Sequence, residues 1–234
     1  MPQTHQHHPQ TTPQQSHVGL LLLPAHQLTT PPADPAAWHG IDPHRLARLI
    51  AHYTRAGDVV LDLDNHPGVA HAARYLHRHP ATLVTDGDHT DVRATAQRPE
   101  SGGLADVAER GVSLLLTGLP RSVGGLHELA EVMRRWHRLL RPGGFVLIAL
   151  APTGAEPRPV PHRSTVVTAA RAAGLRYHQH LPVLLVPLPA VEPRTDAATA
   201  AITRPALLGG RHVPVHLDVL AFAASSIDQG AVRA

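Results

Sequence analysis

Apolar positions along the chain fall into short continuous runs that alternate with amphipathic stretches of helical period. Val59 to Leu63, Ala81 to Thr85, Val112 to Pro120 and Phe145 to Leu150 are runs of strand length, apolar throughout or nearly so. Such runs predict strands buried on both faces. Between them, Leu46, Leu49, Ile50 and Tyr53 recur at helical spacing, as do Val69, Ala72, Ala73 and Leu76. The longest such series is Leu126, Leu129, Met133, Trp136 and Leu140. Its Glu128 and Glu131 lie early and Arg134, Arg135 and Arg138 late, which suits the helix dipole. Asp42-Pro43 predicts a helix start, with Asp as N-cap and Pro at the first helical position. Ser164 is expected to cap a last helix that runs through Ala173 and closes at Gly174.

Helices alternating with buried strands predict an α/β fold: a mostly parallel sheet with helices on both faces. LRYHQHL and VLLVPL read as one broken strand or two short ones, and Val213 to Ala223 as a last, half-exposed strand. No helix is expected between the closing strands at 181–188 and 213–223, so they predict an antiparallel edge. The stretch His89 to Gly111 carries little pattern. A short helix is expected over Leu104 to Arg110, and no third strand is visible before Val112. Pro80 is expected to end the second helix, and Arg141-Pro142-Gly143-Gly144 reads as a sharp turn.

Residues 1–17 are Gln, His, Pro and Thr with almost nothing apolar, and are expected to be a disordered tail. VGLLLL (Val18 to Leu23) predicts a short extended segment, and the stretch Pro31 to Pro35 leads into the domain. Glu192 to Ala206 reads as a polar insertion. One domain over 18–225 and a C-terminal tail over 226–234 complete the division. Hydrophobic residues make up 43% of the chain and aromatics only 3%, so the core must be built from Leu, Val and Ala. With no cysteine, disulfides and thiolate metal sites are excluded. All 21 basic residues are arginine, and the net charge is +3 with histidine neutral. That permits a polyanionic partner without demanding one. No apolar run approaches the roughly 20 residues of a membrane span. No basic start followed by a hydrophobic segment opens the chain, so a cytoplasmic protein is the default expectation.

Candidate chemistry gathers at Gly57 to Ala70, GDVVLDLDNHPGVA. A strand ends here in Asp62 and Asp64, and a turn of Asn65, His66, Pro67 and Gly68 leads into a helix. Strand, acid, turn and helix N-terminus in that order open nucleotide-type cofactor sites in open α/β sheets. A second strand ends at Asp86. His66 is a candidate base whose more economical reading is structural. His71, His77 and His79 lack the spacing of a zinc site. His178 and His180, i and i+2 on a strand, should share a face, but two ligands do not make a site. No metal is expected.

GDVVLDLDNHPG, LVTDGD, LLLTGLP and the helix ending RLLRPGGFVLIAL together resemble class I S-adenosylmethionine-dependent methyltransferases, over roughly Ile41 to Ala223. The Arg-Pro-Gly-Gly turn into an apolar strand is the most specific of these. HYTRAGDVVLDL and PVHLDVLAF are similar, more narrowly, to the DNA-methylase-like branch that modifies exocyclic amines. The resemblance implies a Rossmann-like methyltransferase fold and S-adenosylmethionine as cofactor. It implies DNA or RNA as candidate partner, bound without sequence-specific reading because no recognition domain fits in the chain. It matches Asp62, Asp64 and Gly68 to the cofactor loop and Asp86 to the acid that holds the ribose hydroxyls. Thr117 and Pro120 fall in the catalytic motif. Asp64, Asn65 and His66 stand where the family has glycines, and Gly118, Leu119 and Arg121 depart from its catalytic pattern. A non-catalytic binding or regulatory protein of the same fold, with a degenerate cofactor site, is the alternative. A nicotinamide-dependent Rossmann enzyme would need G-x-G-x-x-G after the first strand, and that motif is absent.

Overall fold

The computed structural model describes residues 17–18, 37–86, 89–95, 104–106, 111–119, 125–150, 162–184, 207–208, 211–212 and 216–225, several short segments by backbone path alone. The expectations for most of the two tails, for 19–36, for Pro120 and Arg121, for VLLVPL beyond Leu184 and for Glu192 to Ala206 lie outside the described residues. In chain order the elements are β1 (His17–Val18), α1 (Pro43–Tyr53), β2 (Val59–Asp62), α2 (Pro67–Tyr75), β3 (His79–Asp86), β4 (His89–Thr95) and β5 (Leu104–Asp106). β6 (Val112–Leu119), α3 (Leu126–Leu139), β7 (Leu140–Leu150), α4 (Arg163–Ala172) and β8 (Leu175–Leu184) follow. The last are β9 (Leu207–Leu208), β10 (Arg211–His212) and β11 (His216–Ala224).

Nine of these strands form one sheet in the order β1-β8-β11-β7-β6-β2-β3-β4-β5. β7, β6, β2 and β3 run parallel, and β11 runs against both β7 and β8. A parallel sheet that closes by inserting one reversed strand beside its last parallel neighbour is the Rossmann-like methyltransferase arrangement. The antiparallel edge predicted from the closing strands is present. A second one, the β3–β4–β5 meander, lies at the other end.

Two apolar clusters lie on the two faces. One packs α1 and α2, with Trp38 and Ile41 before them, on Val60, Leu114, Leu116, Leu147, Val183 and Val219. The other packs α3 and α4 on Leu61, Leu115, Leu119, Ile148, Leu220 and Phe222. Alternate residues of β2, β6 and β7 thus enter opposite cores, which is why those strands read as continuous apolar runs.

The structure corrects several local expectations. Leu104 to Asp106 is strand β5, not the start of a helix, and β4 is a further strand that the sequence did not reveal. Both join an edge through backbone pairing, which needs no apolar stripe. α2 ends five residues before Pro80, where His77 turns in the left-handed region at φ 58°, and Pro80 is a buried residue of β3. α4 begins after His162, and no side chain caps it. Arg141 to Gly144 lies within β7 as an irregularity, since Val112 pairs with Leu140 and Leu114 with Phe145. The extra residues loop out while both ends stay paired, and Arg141 Nη2 ties the loop to Asp58 at 3.0 Å. The parallel run therefore enters its strand at a fixed height.

Candidate functional site

β2 and β6 are neighbours, yet the chain leaves them in opposite senses, β2 toward β3 and β6 toward β7. Their C-terminal ends form a topological switch point, where open α/β sheets bind ligands. Asp62, Asp64, Gly68 and Thr117 all come to this point. Thr117 lies within β6, fully buried.

Asp62 is 5% exposed and holds the turn together. Its Oδ1 accepts the Asp64 N–H at 3.0 Å and its Oδ2 the His66 N–H at 2.5 Å. Burial pushes its carboxyl up to about 6, against the opposing pull of those two backbone donors. The nearby Asp64 charge raises it a little and His39 lowers it. Asn65 takes φ 52°, the left-handed conformation that asparagine tolerates better than most residues. His66 is the N-cap of α2, and its Nδ1 accepts the Gly68 N–H at 3.1 Å. An Nδ1 that accepts carries no proton, so the neutral ring bears its proton on Nε2. The structural reading of His66 therefore holds, and the first turn of α2 is capped from within the chain.

Asp64 reaches across to β6. Its Oδ2 accepts the Gly118 N–H at 2.6 Å, and the Thr117 hydroxyl lies 3.4 Å from Oδ1. The same Oδ2 accepts from His39 Nε2 at 2.9 Å. His39 belongs to a tight turn before α1, in which Trp38 N–H bonds to Ile41 C=O at 3.0 Å and Ile41 N–H to Trp38 C=O at 2.9 Å. The two central residues, His39 and Gly40, have φ 52° and 86°. Trp38 and Ile41 are wholly buried in the core beneath α1 and anchor the turn. The imidazole of His39 lies so close over Gly118 that a Cβ there would stand 2.3 Å from two ring atoms. The glycine that departs from the resembled motif thus has a local reason: it makes room for His39.

His39 is the site residue that sequence reasoning missed. It lies 25 positions before Asp64, in no motif, and its one local signal is a His-Gly pair compatible with a left-handed turn.

Asp86 stands apart from this group. β2 and β3 pair with Leu61 opposite Ala81, and β3 continues to Asp86, which pairs with His89 of β4. Asp86 is thus four residues past the level of Asp62, roughly 13 Å along the strand. Pro120, the other catalytic expectation, lies outside the described residues.

The remaining histidine pair does not converge. A register irregularity between Ala221 and Phe222 breaks the alternation of β8. His178 packs edge-on against Phe145 and Tyr53, while His180 Nε2 contacts Asp218 at 2.8 Å, near Arg163 of α4. They face opposite sides of the sheet, because a bulge shifts the period by one residue. Among the described residues no three His, Cys, Asp or Glu side chains are placed to hold a metal ion. No helix among them is long and apolar enough to cross a membrane.

No family model matches the sequence, and no curated protein matches it. Solved structures with which the chain shares a low similarity include the following methyltransferases. The antibiotic-resistance methyltransferase Kmr is 18% identical, with a TM-score of 0.40, over 76% of this chain and 93% of that one. The 16S rRNA methyltransferase KamB is 20% identical, with a TM-score of 0.42, over 76% and 93%. The geranyl diphosphate C-methyltransferase from Streptomyces coelicolor A3(2), in complex with Mg2+, geranyl diphosphate and S-adenosyl-L-homocysteine, is 13% identical. Its TM-score is 0.47 over 90% of this chain and 92% of that one.

Proposed function

We propose that this chain is an S-adenosylmethionine-dependent methyltransferase. One observation carries the reading: the β2–α2 turn, with Asp62, Asp64 and Gly68, meets the end of β6 at the switch point of a sheet closed by a reversed strand. In such a site the turn backbone lies along the cofactor, and the acids take its hydroxyl and amino groups. Asp62, Asp64 and Gly68 are the residues we assign to the cofactor, with Asp86 as the candidate for the ribose. Thr117 and Pro120 are assigned to the methyl-acceptor side on the sequence motif alone. DNA or RNA, without sequence-specific reading, is the partner class we put first. A cytoplasmic location follows as part of the same proposal.

A second reading has its own support. Asp64 is engaged by His39 and Gly118, and the α2 N-terminus by His66, so these groups of the site are already bonded within the protein. Those bonds support the reading of a binding or regulatory protein of the same fold with a degenerate cofactor site. Calorimetric titration with S-adenosylmethionine and S-adenosylhomocysteine separates the two. Heat with micromolar affinity, lost in Asp86→Ala, supports the first reading. No heat at high ligand concentration sinks it and leaves the second. Transfer of a labelled methyl group to DNA or RNA, absent in Gly68→Trp, then distinguishes turnover from binding.

A further inference from the structure

β2, β3, β6, β7 and β8 all begin at the edge of the sheet opposite the candidate site. The four helices all end there, because each leads directly into one of these strands. β6, eight residues long, sets the two edges roughly 26 Å apart. Charge is divided unequally between them. Among the described side chains, nine arginines lie at the helix-end edge against two carboxylates, Asp58 and Glu131. Both carboxylates are already taken: Asp58 accepts from Arg141 Nη2 at 3.0 Å, and Glu131 pairs with Arg134. Arg78 is tied down too, donating to the Thr54 carbonyl at 2.8 Å. The other six, Arg55, Arg74, Arg135, Arg138, Arg171 and Arg176, are exposed, and none has an ion-pair partner among the described residues. Helix C-termini favour cations, but four of them supply only about −2 of partial charge. The candidate-site edge holds Asp42, Asp62, Asp64, Glu128 and Asp218 instead. The whole chain carries a net charge of only +3, so its surplus is gathered at one edge.

An aromatic ring stands at the same edge. Tyr75 is the last residue of α2, directly after Arg74, and is 74% exposed. No other Phe, Tyr or Trp among the described residues is a large exposed hydrophobic. We propose that this edge binds single-stranded nucleic acid, with its arginines on the phosphates and Tyr75 against a base. Guanidinium groups match phosphate oxygens two at a time. Tyr75 favours a single strand, whose bases are free to stack on it, over a duplex, whose bases stack on one another. Unpaired like charges repel across the edge and give the fold nothing, whereas a phosphate backbone neutralises them. The acids of the other edge repel that backbone, so the strand is anchored away from the cofactor turn. The inference deepens, and to that extent rests on, the partner class put first above; it needs neither cofactor nor turnover.

Fluorescence anisotropy of a labelled single-stranded oligonucleotide of about 12 nucleotides, with the full chain and no cofactor, tests it. Affinity should fall with salt at a log–log slope of about −4 if six arginines each take a phosphate. Arg135→Gln/Arg138→Gln/Arg171→Gln should weaken binding by about tenfold or more and reduce that slope by about 2. Tyr75→Ala should weaken it by about fivefold or more, Tyr75→Phe should restore it, and neither should alter binding of inorganic polyphosphate. All these side chains are exposed, so the variants should melt with the wild type, and melting curves check that they do. No binding by the wild type, or undiminished binding by the triple arginine variant, would overturn the proposal. So would a preference for duplex, or an equal loss of oligonucleotide and polyphosphate in Tyr75→Ala, since the edge would then take any polyanion. S-adenosylhomocysteine calorimetry on the wild type and the triple variant reports separately on the methyltransferase reading.

Discussion

Gly118→Ala perturbs the contact between His39 and β6 with a single methyl group. The new Cβ would lie 2.3 Å from His39 Cε1 and Nε2 and 3.1 Å from Nδ1. Carbon atoms rest at about 3.5–4.0 Å. The imidazole must therefore retreat by more than an ångström, which takes its 2.9 Å bond to Asp64 past the range of a hydrogen bond. The lost bond costs about 1 kcal/mol. Forcing the ring and its turn aside costs about 1–3 kcal/mol more. Against this, alanine in a strand gains about 0.4–1 kcal/mol over glycine by narrowing the unfolded ensemble. Gly118 has an ordinary strand backbone, so no backbone strain opposes the change. The expected net effect is a loss of about 2–3 kcal/mol. In a His39→Gly background the obstacle is gone, and the same substitution should be neutral or stabilising by about 0.5 kcal/mol. The coupling between the two positions, read from urea unfolding of the four proteins with unchanged m-values, should then be about 2–3.5 kcal/mol. If Gly118→Ala costs the same in both backgrounds, the ring does not sit over position 118 and the reasoning fails.

Two further outcomes follow from the same geometry. Burial holds the Asp62 carboxyl at about 6 against an ordinary value of 3.8, so the folded chain binds its proton more tightly than the unfolded chain does. Stability should fall by about 3 kcal/mol as pH rises through roughly 4 to 6, and Asp62→Asn should flatten that part of the unfolding free energy measured against pH. At Gly144 a Cβ would meet the carbonyl oxygens of Arg141 and Val112 at 3.0 Å and of Ser113 at 3.1 Å. These are backbone atoms of paired strands and yield little, so Gly144→Ala should lower the melting temperature by roughly 3–10 °C, a loss of about 1–3 kcal/mol; an unchanged melting temperature would count against the tight entry into β7.

The sequence by itself determined the elements and the faces they bury. Alternation of 3.6-period stretches with apolar runs is a local property, so α1, α2, α3 and the strands β2, β6 and β7 were legible, and with them a two-faced sheet. The Asp62 turn and the closing antiparallel pair were legible for the same reason. β4 and β5 were not, because an edge strand is held by backbone pairing and needs no apolar pattern. The bulge that parts His178 from His180 was equally hidden, since one extra residue in a ladder leaves no mark in composition.

The occupant of the site was a matter for tertiary structure alone. His39 precedes Asp64 by 25 residues, and Asp64 precedes Gly118 by 54. Only the crossing of α1 over the sheet, anchored by Trp38, brings the three together. From the sequence, Gly118 was a departure from a catalytic pattern and Asp64 a side chain where the cofactor loop expects glycine. In the fold each accommodates the other and His39. A residue type can be read from its neighbours in sequence when its role is to turn or bury the chain. When its role is to leave room for a side chain from elsewhere, the reason lies in the packing.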